Sequence, residues 1–223
     1  MATRFYLPGG GSAPISPAFD AGWEQTGSAI RFPLVYKGAR EKVITVNNTT
    51  QTIPITTTQD VLNAQFVSSP IRRQLIAGTF SLVIRVGQTA STTNCTLAVV
   101  VRVVSQDGGT VRGTLFSVFG TDTAWALAAT PDTRIVNAQA VTPLVVEAGD
   151  RIVVEIGATA TAPSTSNTEV MRAVNDTATA DYALTSGLTT SLNPWCEFSQ
   201  DLFTGNTPNR GLRPHPFSPG LAR

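Results

Sequence analysis

Few residues of this chain could do acid–base or nucleophilic chemistry. The single histidine, His215, stands between Pro214 and Pro216, with Pro208 and Pro219 nearby. A Ser-His-Asp or Cys-His arrangement needs an imidazole held in one orientation by a third group, and a proline-punctuated tail gives no such hold. Asp107, Asp122, Glu147, Asp150 and Glu155 qualify as paired carboxylates by type alone. Asp107 and Asp150 adjoin glycines, where a short acidic side chain caps its own turn. Ser105-Gln106-Asp107-Gly108-Gly109 offers one carboxylate, and calcium needs several converging oxygens. Gly9-Gly10-Gly11 lacks the preceding strand and following lysine of a phosphate loop. Cys95 and Cys196 match no metal spacing and read as buried thiols. No catalytic residue, cofactor or metal is expected.

Sugar binding stacks a ring on an exposed aromatic face. The chain has three tryptophans and three tyrosines. Trp195 falls in an apolar run and reads as core. Trp125, among alanines, and Tyr182, in a polar stretch, are the candidates for a glycan or partner contact.

The elements that would position such groups are strands. Cys95–Phe119 (CTLAVVVRVVSQDGGTVRGTLFSVF) alternates with period 2 on both sides of Gly108-Gly109, which predicts a hairpin with φ > 0 at both glycines. Centred there, Val103 faces Thr114, Val101 faces Phe116 and Val99 faces Val118. That makes one Val/Phe/Thr face and leaves Val100, Arg102, Val104, Leu115 and Ser117 on a mixed one. Gly78–Val86 and Arg151–Gly157 alternate as cleanly. Weaker strand signals cover Lys42–Val46, Gln51–Thr56, Glu169–Val174, one or two runs in Arg134–Val146, and Asn193–Phe203. Asp60–Phe66 fits either a helical turn begun by an Asp cap or a short strand. Gly120–Pro131 fits a loop or a turn of helix, and Ala158–Thr168 and Asn175–Ser191 read as polar loops.

Both ends differ from this body. Residues 1–33 carry Pro8, Pro14, Pro17 and Pro33, which interrupt ladders and helices, yet also Phe5, Tyr6, Phe19 and Trp23. That combination predicts an extended arm docking its aromatics on its own domain or on a neighbour. Residues 204–223, with four prolines, Arg210, Arg213 and Phe217, read as a second arm. The expected organisation is arm 1–33, domain 34–203, arm 204–223. Eight or nine short strands and no convincing amphipathic helix make the body an all-β antiparallel sandwich of jelly-roll type.

Hydrophobic residues make up 42% and charged residues 14%, with a net charge of +1, so a core is available and a nucleic-acid footprint is not. No apolar run approaches the ~18 residues of a membrane span, and no secretory leader is expected at the N-terminus. Membrane and nucleic acid are excluded as partners.

Five blocks carry a resemblance: Met1–Pro8 (MATRFYLP), Pro17–Glu24 (PAFDAGWE), Asp107–Leu115 (DGGTVRGTL), Ala148–Gly157 (AGDRIVVEIG) and Asn193–Phe198 (NPWCEF). Together they resemble a group of tailed-bacteriophage virion structural proteins. The resemblance implies a non-enzymatic component of phage head or tail with a β-sandwich body. It would be made in the host cytoplasm and carried in many copies in the virion. The partners implied are copies of itself and major capsid or tail proteins. The alternative is a receptor- or glycan-binding module on the particle surface. The family supplies no catalytic residues, and Thr204–Arg223 extends past its usual ending.

Overall fold

The computed structural model describes residues 1–27, 29–36, 48–55, 57–88, 94–120, 131–161, 164–172, 180–190 and 192–205, with 48–55 and 164–172 described as backbone only. Among them there are thirteen strands and no helix. In chain order these are β1 (Thr3–Tyr6), β2 (Ile30–Tyr36), β3 (Asn48–Ile55), β4 (Gln59–Ser68), β5 (Gln74–Ile76), β6 (Thr79–Gln88), β7 (Thr96–Val104), β8 (Val111–Phe119), β9 (Asp132–Ala140), β10 (Leu144–Val146), β11 (Arg151–Ala160), β12 (Ser164–Arg172) and β13 (Trp195–Phe198). Asp60–Phe66 thus lies in a strand. The expected loop at Ala158–Thr168 is mostly the end of β11 and the start of β12. Lys42–Val46 and Gly120–Pro131 fall mostly or wholly outside the described residues.

One 11-stranded, mostly antiparallel sheet runs β3-β12-β6-β13-β1-β2-β4-β11-β7-β8, with β9 on β6, and curls nearly into a barrel. β12 and β13 share one edge of β6, meeting Arg85–Gln88 and Phe80–Val83 respectively. The run β13-β1-β2 bridges one side, and β2 joins β4 in parallel register. A separate ribbon pairs β5 with β10.

A single apolar cluster fills the curl. Phe80 of β6 meets Phe116 of β8 at 5.8 Å between centroids and Phe198 of β13 at 5.3 Å, so strands far apart along the sheet share one core. Phe80, Leu82, Ile84 and Val86 all point into it, as their alternation predicts. Each such side chain contributes ~1.5–3 kcal/mol of burial.

The hairpin keeps Val99↔Val118 and Val101↔Phe116, but bulges follow. Arg102 then faces Thr114, Val103 faces Gly113 and Val104 faces Val111. An inserted residue exchanges the faces of the strand beyond it. Leu115 therefore enters the core and Thr114 is exposed, the reverse of the expected pattern. The reversal is a wider loop, Ser105 N donating to Thr110 O at 2.8 Å, with positive φ at Gly108 and not at Gly109. A Cβ on Gly108 would meet Ile15 at 3.0 Å and Pro17 at 3.3 Å, so the tip lies against the N-terminal segment.

That segment is no projecting arm. Thr3–Tyr6 pairs with β13 on one side and β2 on the other, before the first proline can interrupt the ladder. The expected boundary at residue 33 falls inside β2. Phe5 is core, and Phe19 and Trp23 pack on the outer face of β4, β11 and β7. Of the two docking options the sequence left open, the chain takes its own domain.

Candidate functional site

Cross-strand register places Arg31 of β2, Gln65 of β4 and Glu155 of β11 in one row on the outer face of the sheet. Arg102 of β7, opposite Val153, lies diagonally from Glu155. In an open sandwich this face would be wet. Here residues 17–25 form a strap across it and bury Glu155 completely.

The carboxylate is saturated with donors. Arg102 Nη2 donates to Glu155 Oε1 at 2.7 Å and Gln65 Nε2 at 2.8 Å, while Trp23 Nε1 donates to Oε2 at 2.8 Å. The Asp20 amide reaches both oxygens, at 3.1 and 3.3 Å. Two strap carbonyls are held as well: Ala18 O accepts from Arg102 Nη2, and Pro17 O accepts from Arg31 Nη2 at 3.2 Å. Arg31 also donates to Gln65 Oε1 at 3.0 Å and lies 3.9 Å over the Phe19 ring. Burial lowers the affinity of the Arg31 guanidinium for its proton, and the Glu155 charge opposes that shift.

Trp23 fits because Gly157 is a glycine. A Cβ there would lie 2.9 Å from the indole and would strike Val61 O. β11 shifts register between Ile156 and Gly157, which brings the β4 backbone close. The strap then leaves through Gln25, bridged in parallel to Val61, with Asp60 N donating to Glu24 Oε2 at 2.9 Å.

Isolated in an apolar interior, a carboxylate would cost many kcal/mol; ionised and with each oxygen hydrogen-bonded, it is tolerable and directional. Glu155 has about four acceptor positions, all engaged, and no exposed surface. That arrangement holds a backbone segment in place. Of the four candidate carboxylates among the described residues (Asp107, Glu147, Asp150 and Glu155), this is the one that is fully buried under a strap, and its environment is that of a clamp.

The other three described carboxylates lie in turns and at rims. Asp107 Oδ1 accepts from Ser105 Oγ at 2.6 Å and from the Gly109 amide at 3.1 Å, which hold its carboxyl below the usual carboxylate range. Asp150 accepts from the Glu147 amide at 2.9 Å and from Arg112 Nε at 3.2 Å. Glu147 is exposed beside Arg73. Asp122, Trp125, Arg210, Arg213, His215 and Phe217 lie outside the described residues.

Tyr182 offers no platform. It is 2% exposed, packed with Val83 and Trp195 and flanked by half-buried Tyr6, and burial pushes its phenol up. It belongs to a second strap, residues 180–190 with 192–193, over the outer face of β6 and β9. Trp195 Nε1 donates to Tyr182 O at 2.7 Å, and Thr133 Oγ1 donates to Thr185 O at 2.8 Å. Arg4 pairs with Asp181 and Glu197, each at 2.9 Å, and lies 3.8 Å over Trp195. Cys95 and Cys196 are buried without a disulfide. Burial raises the Cys196 thiol far above its ordinary value.

A cavity of about 260 Å³ beside β2 is lined by Phe5, Pro14, Leu34, Tyr36, Val67 and Thr204 among others. Among the described residues no group of three His, Cys, Asp or Glu side chains is placed to hold a metal.

The five sequence blocks meet in three pairs. Met1–Pro8 pairs with Asn193–Phe198 through β1 and β13 and the Arg4–Glu197 bridge. Pro17–Glu24 lies on Glu155 of Ala148–Gly157. Asp107–Leu115 meets the start of that same block through Arg112–Asp150.

No family model matches the chain. No curated protein matches it either. Two solved structures of a CocE/NonD family hydrolase from Staphylococcus aureus are similar to it at TM-scores of 0.28 and 0.26, with 12% and 11% identity. The matches cover 92% of this chain but 34% and 35% of those chains, so it spans about a third of their length.

Proposed function

We propose that this chain is a structural protein of a tailed-bacteriophage virion, a multi-copy head or tail component built on a jelly-roll sandwich and without a catalytic role. The observation that carries the reading is the pairwise meeting of the five blocks. Residues that carry the resemblance are those that seat one segment on another, so what is shared is a way of folding. Strand order supports the finer architecture. Counting β3, β4, β6, β7, β8, β9, β11 and β12 in chain order, one half of the sheet runs first, eighth, third, sixth and the other second, seventh, fourth, fifth. That is the strand order of a double Greek-key jelly roll, an architecture common in viral capsids.

In this reading the N-terminal segment serves its own domain. Residues 206–223, with Arg210, Arg213 and Phe217, are left to contact neighbouring proteins of the particle. A terminal segment lying along a neighbour adds buried area to a contact without a large rigid body. The test is mass spectrometry of purified particles from the phage that encodes the chain, beside a version truncated after Gly205. The intact chain should be present at many copies per particle, and the truncated one should fold but be depleted. An intact chain abundant in the lysate and absent from purified particles overturns the reading.

A further inference from the structure

The β5–β10 ribbon presents an unusual outer face. In each strand the middle residue points away from the core: Leu75, 51% exposed, and Val145, 59% exposed. Register sets them directly opposite each other. One step further the same outer face carries Arg73 and Glu147, 3.4 Å apart and mostly exposed. Phe203, 55% exposed, lies at the ribbon's edge, its amide and carbonyl both held by the Gln74 side chain at 3.1 Å. Three of the seven exposed large hydrophobics among the described residues therefore sit on one small ribbon, bordered by one cation and one anion.

We infer that this ribbon is a two-fold contact between copies of the chain. The arrangement is complementary to itself. A two-fold axis running along the strands, between two ribbons laid face to face, sets Leu75 of one copy on Val145 of the other. The same axis sets each Arg73 opposite Glu147 of the second copy. Symmetry then forms two apolar pairs and a quartet of alternating charges from a single patch. Alone, the Arg73–Glu147 bridge is exposed and contributes little; under a second copy it is partly desolvated and orients the contact. The contact is small, so its affinity is low for free chains and matters where copies are crowded. It deepens the multi-copy reading by naming the surface through which copies meet. It is tested on purified protein, so its failure leaves the particle experiment untouched.

Sedimentation velocity on the full chain, at roughly micromolar to millimolar concentration, is the measurement. Wild type should pass from monomer to dimer. Leu75→Glu should weaken dimerisation ~100-fold or more, because the two-fold axis uses each site twice, with an unchanged near-ultraviolet circular dichroism spectrum showing that it is folded. Arg73→Glu and Glu147→Arg should each weaken it ~10-fold by placing like charges together. An equimolar mixture of those two variants should regain wild-type association, because every facing pair is then opposite in sign. A bridge acting only within one chain cannot produce that rescue. A monomeric wild type at every concentration, unaltered dimerisation of Leu75→Glu, or a mixture no better than its components overturns the proposal. So does loss of dimerisation on truncation after Gly205, which would assign the ribbon to residues 206–223.

Discussion

Two irregular straps cover the two outer faces of this sheet, and they are held by different chemistry. Residues 17–25 are fastened by a buried carboxylate that gathers a guanidinium, an amide side chain, an indole and a backbone N–H. Residues 180–190 with 192–193 are fastened by neutral hydrogen bonds to Tyr182 O and Thr133, with Arg4 bridging at a half-open rim. Each strap depends on one tryptophan whose indole N–H finds a buried acceptor. The difference lies in the acceptor's charge. A clamp built on a charge is directional and strong while complete, and strongly destabilising when any member is lost. Neutral fastenings fail by smaller steps.

Glu155→Ala should show this most sharply. It leaves Arg102 buried without its anion and frees three further donors, an expected loss of about 3–5 kcal/mol in urea unfolding. The double variant Glu155→Leu with Arg102→Met should recover much of it. If the single and double variants are equally unstable, the charge is not what distinguishes this strap. Gly157→Ala comes next, at about 3 kcal/mol, the upper range for overpacking because the added methyl meets backbone as well as the indole. Trp23 fluorescence should shift with it.

The comparison becomes most direct with the same substitution on both faces. Trp23→Phe removes a bond to a charged acceptor, worth about 1.5–3 kcal/mol, and Trp195→Phe one to a neutral carbonyl, worth about 1 kcal/mol. Equal losses in thermal unfolding would count against the distinction. The smallest effect concerns the hairpin tip beside the first strap. Asp107 has its folded pKa lowered, so its contribution is present above the ordinary carboxylate value of ~4 and is lost as pH falls through the folded value. Asp107→Asn should therefore flatten the acid side of a stability–pH profile and leave the neutral side little changed. A parallel profile would assign the acid sensitivity elsewhere.

Strands with strict alternation were legible in the sequence: β6, β11 and the β7 arm of the hairpin follow their period-2 patterns, while β8 keeps the expected register only over Phe116–Phe119. The bulge in the hairpin was not, because nothing in VRGTLFSVF states where an extra residue is absorbed. The clamp was half legible. Arg102 interrupts a valine run and Glu155 an Ile/Val run, each at an outward position, whereas Gln65 sits in the mixed stretch QDVLNAQF and carries no such signal. Arg102 and Glu155, polar residues at outward positions next to outward valines (Val100 and Val104 in β7, Val153 in β11), signal that the outer face is covered. What the sequence lacked was the register that makes them neighbours. The polar residues around Tyr182 read as a solvated loop, but Tyr182 itself packs on Val83 and Trp195.

The pairing of β1 with β13 joins residues 3–6 to residues 195–198, and the Arg4–Glu197 bridge closes a separation of 193 positions. During synthesis the first strand therefore has no neighbour on that side until almost the whole of this stretch has left the ribosome. Contacts of such long range slow folding, since the closure entropy precedes the stabilisation. In the interval Phe5 and Leu7, later fully buried, are available to other nascent chains. Yield of soluble protein should accordingly depend on expression rate and temperature more than the stability of the finished fold would suggest.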